Sequence, residues 1–90
     1  MQRLLKSTAE RGARYLDSLR ERTVAPTPEA VANLRRFDEP PPEAPTDPEA
    51  VIALLDEVGS PATMASAGGR FFGFVVGSSL PATVAANWLA

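Results

Sequence analysis

The sequence predicts a mainly α-helical chain with one short extended segment. Three observations carry this. Apolar residues recur at helical spacing across residues 2–22. Hydroxyl side chains stand just before prolines at Thr27-Pro28, Ser60-Pro61 and Ser79-Leu80-Pro81, as at helix starts. The one aromatic and β-branched run is Arg70-Phe71-Phe72-Gly73-Phe74-Val75-Val76, a composition that favours extended backbone.

Residues 1–22 read as an amphipathic helix. Leu5, Gly12, Leu16, Leu19 and Thr23 share one narrow face, flanked by Tyr15, and charges fill the remainder. Such a helix docks on a larger body, binds a partner or forms a dimer. A basic membrane-surface helix fits less well, because Glu10 and Asp17 are interspersed with the arginines.

Residues 23–48 are a Pro-rich connector with one short helix. Thr27 is the expected N-cap and Pro28 the first helical residue, with Val31 and Leu34 expected to be buried. From Asp38 to Pro48 the prolines and acids impose an extended, exposed crossing. Residues 49–66 hold the next helices. Thr46 and Glu49 make a capping-box pattern, and Val51, Ile52, Leu54, Leu55 and Val58 are strongly apolar. Gly59 suits a left-handed C-terminal residue, after which Ser60-Pro61 caps a short helix.

Residues 67–80 carry the glycine break Gly68-Gly69, the Phe-rich segment and a turn. Residues 81–90 start a final helix, capped by Ser78 or Ser79. That helix runs to Trp88-Leu89-Ala90 with no stop signal, which leads us to expect the N-terminal part of a longer protein. From Phe71 to Ala90 no charge occurs, a length that could span a membrane. Ser78, Ser79, Pro81, Thr83 and Asn87 argue for a buried soluble segment instead.

Composition narrows the function classes. The chain has 90 residues, 9 basic and 11 acidic side chains, a formal charge of −2 and no histidine or cysteine. The mild acidity argues against a nucleic-acid module. Without histidine and cysteine, thiolate metal sites, disulfides and the usual neutral-pH acid–base group are excluded. The only lysine is Lys6, on a charged helix that offers a Schiff base no desolvation. Asp56 and Glu57 are adjacent on a helix and are expected to be solvated on different faces. No apolar leader opens the chain, and its Arg-rich start also bears acids, so a cytoplasmic location is expected. The stretch Gly77 to Pro81, with hydroxyls at a helix start, suits either an anion or an ordinary helix cap.

The run Gly69-Arg70-Phe71-Phe72-Gly73-Phe74-Val75-Val76-Gly77-Ser78-Ser79-Leu80-Pro81-Ala82, continued by Ala85-Ala86-Asn87-Trp88-Leu89-Ala90, resembles the N-terminal signature of the group II pyridoxal-phosphate-dependent amino-acid decarboxylases. These belong to the aspartate-aminotransferase-like superfamily. The pattern there is His-Pro-Arg-Phe-Phe-Gly-Phe, a small-residue turn, Leu-Pro-Ala and a helix ending in Asp-Trp-Leu. Pro45–Glu49 and Leu54–Thr63 also fit, so the resemblance covers about Arg14 to Ala90. Gly68 and Gly69 stand where the family has His-Pro.

The resemblance implies a fragment of a larger α/β pyridoxal-phosphate-dependent transferase fold. It implies a segment that wraps around the second subunit of a homodimer, with the Phe-rich turn reaching the partner's active site. It implies pyridoxal 5′-phosphate as cofactor of the full-length dimer and a small-molecule amino acid as substrate. By match, Ser78 and Ser79 face the cofactor phosphate, and Phe72, Phe74, Val75 and Leu80 wall the substrate. The cofactor lysine and the other central catalytic residues would lie beyond residue 90, leaving this segment inactive alone and no catalytic residue within it. Transamination or carbon–carbon cleavage on the same scaffold is one alternative, and a non-catalytic helical interaction module is another. Nucleic-acid and membrane partners are not expected.

Overall fold

The computed structural model describes residues 1–73 and 79–90. Among these residues four α-helices follow in order: α1 (Gln2–Ser18), α2 (Pro28–Ala32), α3 (Pro48–Leu54) and α4 (Pro81–Leu89). A 3-10 turn, Asn33–Phe37, extends α2. A wide π turn, Leu55–Gly59, and a 3-10 turn, Ser60–Ala62, extend α3. The chain is thus mainly helical, and no strand occurs among the described residues. The glycine break is a turn that takes in Arg70, whose side chain bonds to the carbonyls after α1; Phe71 and Phe72 are irregular, Gly73 lies in a bend, and the rest of the segment expected to be extended, Phe74 to Val76, lies outside the described residues.

Several local expectations hold. Thr27 caps α2, its hydroxyl accepting from the Ala30 N–H at 3.1 Å, and Pro28 opens the helix. Residues 38–47 are exposed and irregular. Others are corrected. Helix α1 ends at Ser18 rather than near Arg22: the N–H groups of Glu21 and Arg22 both turn back to the Ser18 carbonyl. Asp47, not Thr46, is the N-cap of α3, and no side chain caps it, so the Thr46/Glu49 capping box is not formed. Glu49 instead pairs with Arg3 of α1 at 3.0 Å. Gly59 is right-handed, with φ −78°, and the chain winds on through it. Ser60 does not cap, since its hydroxyl donates to Asp56 at 2.7 Å. Helix α4 is not capped by Ser79 either. Leu80 is its N-cap, and the Thr83 hydroxyl accepts the Leu80 N–H at 3.2 Å.

The structure decides which face of α1 packs within the chain. Leu4, Thr8, Arg11 and Tyr15, spaced for one face, are half-buried against α3 and the turns that follow it. Arg11 pairs with Asp56, and Tyr15 shares a hydrogen bond with Thr63 at 2.8 Å. Leu5 and Leu16, on the apolar stripe, remain 54% and 37% exposed. Leu19, at the edge between the two faces, is buried with Val58 and Ala65. Val31 and Leu34, expected inside, are exposed. The neighbouring segment offers carboxylates and hydroxyls, and α1 turns its polar partners toward them.

This small core leaves an open molecule. The chain exposes 7357 Å². A compact monomer of this mass would expose about 5,100 Å². Its radius of gyration is 14.9 Å, against about 12 Å for a compact domain of this length. Among the described residues, no helix is long and apolar enough to cross a membrane.

Candidate functional site

The C-terminal end of α1 is held by two arginines. Arg22 donates to the carbonyls of Ser60, Pro61 and Thr63, each at 3.0 Å, and lies over the Tyr15 ring. Guanidinium donors therefore satisfy the carbonyls left open where the helical path from Pro48 ends. Nearby, Asp56 bridges Ser60 and Arg11. Its carboxyl is held below the ordinary value, first by the Ser60 hydroxyl and then by Arg11. Asp56 is therefore half-buried and paired, not solvated as its place beside Glu57 suggested. This cluster is a structural clasp that ties α1 to the turns after α3.

A groove of about 970 Å³ lies between α1 and α4. Ala9, Ala13 and Leu16 line it from α1, and Pro81, Val84 and Trp88 line it from α4. These positions repeat at three- and four-residue intervals, so each helix offers a continuous apolar strip. Arg20, Arg70, Ser79 and Leu80 also line the groove. With Asp17 also in the lining, it is an apolar trough bordered by two guanidinium groups, a carboxylate and a hydroxyl.

The expected site residues fall into three groups. Ser79 and Leu80 are exposed and border this groove together. Phe72 is 94% exposed and does not line it. Phe74, Val75 and Ser78 lie outside the described residues. Arg20 and Arg70 were not singled out from the sequence. Arg70 had a signal of its own, being the one charged residue from Ala67 to Ala90.

The described residues do not by themselves form a site for pyridoxal phosphate. The groove supplies one hydroxyl, from Ser79, for a phosphate oxygen. Lys6 is exposed on α1 and does not line the groove. Arg70 spends Nη2 on backbone carbonyls. The trough can cover an apolar surface and offer a hydroxyl at its border. Among the described residues, no group of three or more carboxylates could hold a metal ion. No family model, curated protein or solved structure matches the chain.

Proposed function

We propose that this chain is the N-terminal, dimer-forming part of a cytoplasmic pyridoxal-phosphate-dependent carboxy-lyase that acts on an amino acid, and that it is inactive alone. The observation that carries the dimer-forming role is the unpartnered apolar face of α1, on a molecule exposing about 2,000 Å² more than a compact monomer. Obligate interfaces bury roughly 2,000–5,000 Å² in total, so an excess of this size on each of two copies falls in that range. The chemistry rests on the resemblance of Gly69 to Ala90 to the decarboxylase signature. In that reading the segment belongs to a larger α/β transferase fold.

Pyridoxal phosphate, when bound, supplies the electron sink for loss of carbon dioxide. The part of this chain is to complete a site whose lysine lies elsewhere. Leu80 and Phe72, with Phe74 and Val75, provide apolar surface that excludes water from the substrate. The hydroxyl of Ser79, with that of Ser78, donates to the cofactor phosphate. A second reading is a non-catalytic oligomerisation module, which rests on the same α1 face and needs no cofactor.

One experiment separates them: expression of the complete reading frame that contains these residues. The product is reduced with borohydride in the presence of pyridoxal phosphate, its labelled lysine mapped, and carbon dioxide release from amino acids assayed. Stoichiometric labelling at a lysine after residue 90, with carbon dioxide released, supports the carboxy-lyase. Labelling with amino transfer or carbon–carbon cleavage in its place keeps the scaffold and overturns the reaction. A product that associates yet takes up no cofactor overturns the enzyme and leaves the module.

A further inference from the structure

We infer that Arg70 is a positioning residue that clips the aromatic turn Phe71-Phe72-Gly73 to the C-terminal end of α1. Its Nη2 donates to the carbonyls of Leu19 and Arg20, each at 3.3 Å, and to that of Arg22. Those carbonyls belong to the turn where α1 ends, with the partial negative charge of a helix C-terminus. A guanidinium suits them because it is planar, permanently charged and rich in donors.

A second, independent feature brings the two segments together. Gly68 packs on the residue that ends α1: a Cβ there would meet the Leu19 carbonyl oxygen at 3.6 Å and the Leu19 Cβ at 3.7 Å, in ordinary contact, and the Ala65 carbonyl of its own segment at 3.3 Å. The Ala65 N–H donates to the Val24 carbonyl at 2.8 Å, and the Phe71 N–H to the Gly68 carbonyl at 3.3 Å. Residues 65–71 are therefore held at both ends, by Ala65 on Val24 and by Arg70 on Arg22. Buried Leu19 lies beneath them.

The consequence is mechanical. The end of α1 and the start of the aromatic turn move as one body. A partner that covers the exposed face of α1 thereby also sets the position of Phe71 and Phe72. This deepens the proposed function and rests on its reading of the aromatic turn as a wall of a shared site. The clip itself is read without cofactor or substrate, so its failure and the failure of that reading are distinguishable.

The test is amide hydrogen exchange on the whole 90-residue chain. In Arg70→Ala, the amides of Phe71, Glu21 and Arg22 exchange roughly tenfold faster, as expected for loss of a charge-assisted hydrogen bond. The amides of Val31 and Val51, bonded to Thr27 and Asp47, keep their parental rates. Added methylguanidinium restores protection in Arg70→Ala, and Arg70→Lys, with charge but no fork, gives an intermediate rate. Unchanged exchange at Phe71 in Arg70→Ala overturns the inference. If Arg70→Ala loses protection throughout, Arg70→Lys decides. Selective loss at residues 21, 22 and 71 supports the clip, and uniform loss or no change overturns it.

Discussion

Arg11 and Asp56 meet across 45 residues of sequence, Nη1 to Oδ2 at 2.9 Å, and this pair joins α1 to the π turn after α3. Both side chains are about a quarter exposed. The Ser60 hydroxyl donates to the other carboxylate oxygen, so both acceptors of Asp56 are used. The pair explains why α1 packs on its polar flank. Rotating the apolar stripe inward would strand a partly desolvated carboxylate.

Acid should therefore loosen α1. The native acidity of Asp56 is stronger than its ordinary pKa of 3.8, because Ser60 and Arg11 favour the ionised form. A depressed carboxyl pKa stabilises fully above the unfolded value. That contribution fades as the pH falls below 3.8 toward the native value. Amide protection along α1 should fall in that window. Asp56→Asn should flatten the acid response and cost about 1 kcal/mol at neutral pH. An unaltered acid profile in Asp56→Asn would remove this account.

Arg22 should be among the most sensitive positions outside the core. It donates to three carbonyls at the end of the Ser60–Ala62 turn and covers Tyr15. Arg22→Ala leaves those carbonyls to water and should cost about 1.5–3 kcal/mol in thermal unfolding. Arg22→Lys should recover only part of this, because one ammonium replaces a planar fork. Equal stability of Arg22→Lys and the parent would contradict the geometry.

The start of α4 distinguishes two hydroxyls. Thr83 accepts the Leu80 N–H and donates to the Leu80 carbonyl at 2.9 Å. Thr83→Val should reduce α4 helicity, at a cost of roughly 0.5–1 kcal/mol, as read from Cα chemical shifts of residues 81–85. Ser79→Ala should leave those shifts in place. The opposite pattern would restore Ser79 as the cap.

Charge on α1 should set the orientation of a second copy. Lys6 and Asp17 lie on the same flank of the apolar stripe. An antiparallel pairing of two α1 helices centred near Gly12 brings Lys6 of each copy to Asp17 of the partner subunit, a contact that a parallel pairing does not make. Lys6→Glu or Asp17→Lys alone should weaken association in sedimentation equilibrium by roughly 0.5 kcal/mol per pair, and the double swap should restore it. Leu16→Lys should weaken it more, while Val31→Lys should not. Single swaps without effect on the dimer would exclude this pairing.

The sequence by itself determined the helical class, the Thr27 cap, the exposed proline-rich crossing and the open apolar stripe of α1. Each is local: a cap joins residues three apart, and proline fixes its own backbone. It also showed the Ser79-Leu80-Pro81 turn where the groove border lies. Tertiary structure alone decided which face of α1 packs, where α1 stops and what holds the aromatic turn. Those outcomes depend on pairs remote in sequence, Arg11 with Asp56 and Arg70 with the carbonyls of Leu19 to Arg22. Helical periodicity counts apolar residues, so it marked Leu5 and Leu16 as a docking face. It has no term for a carboxylate and a set of helix-end carbonyls that become costly unless an arginine reaches them.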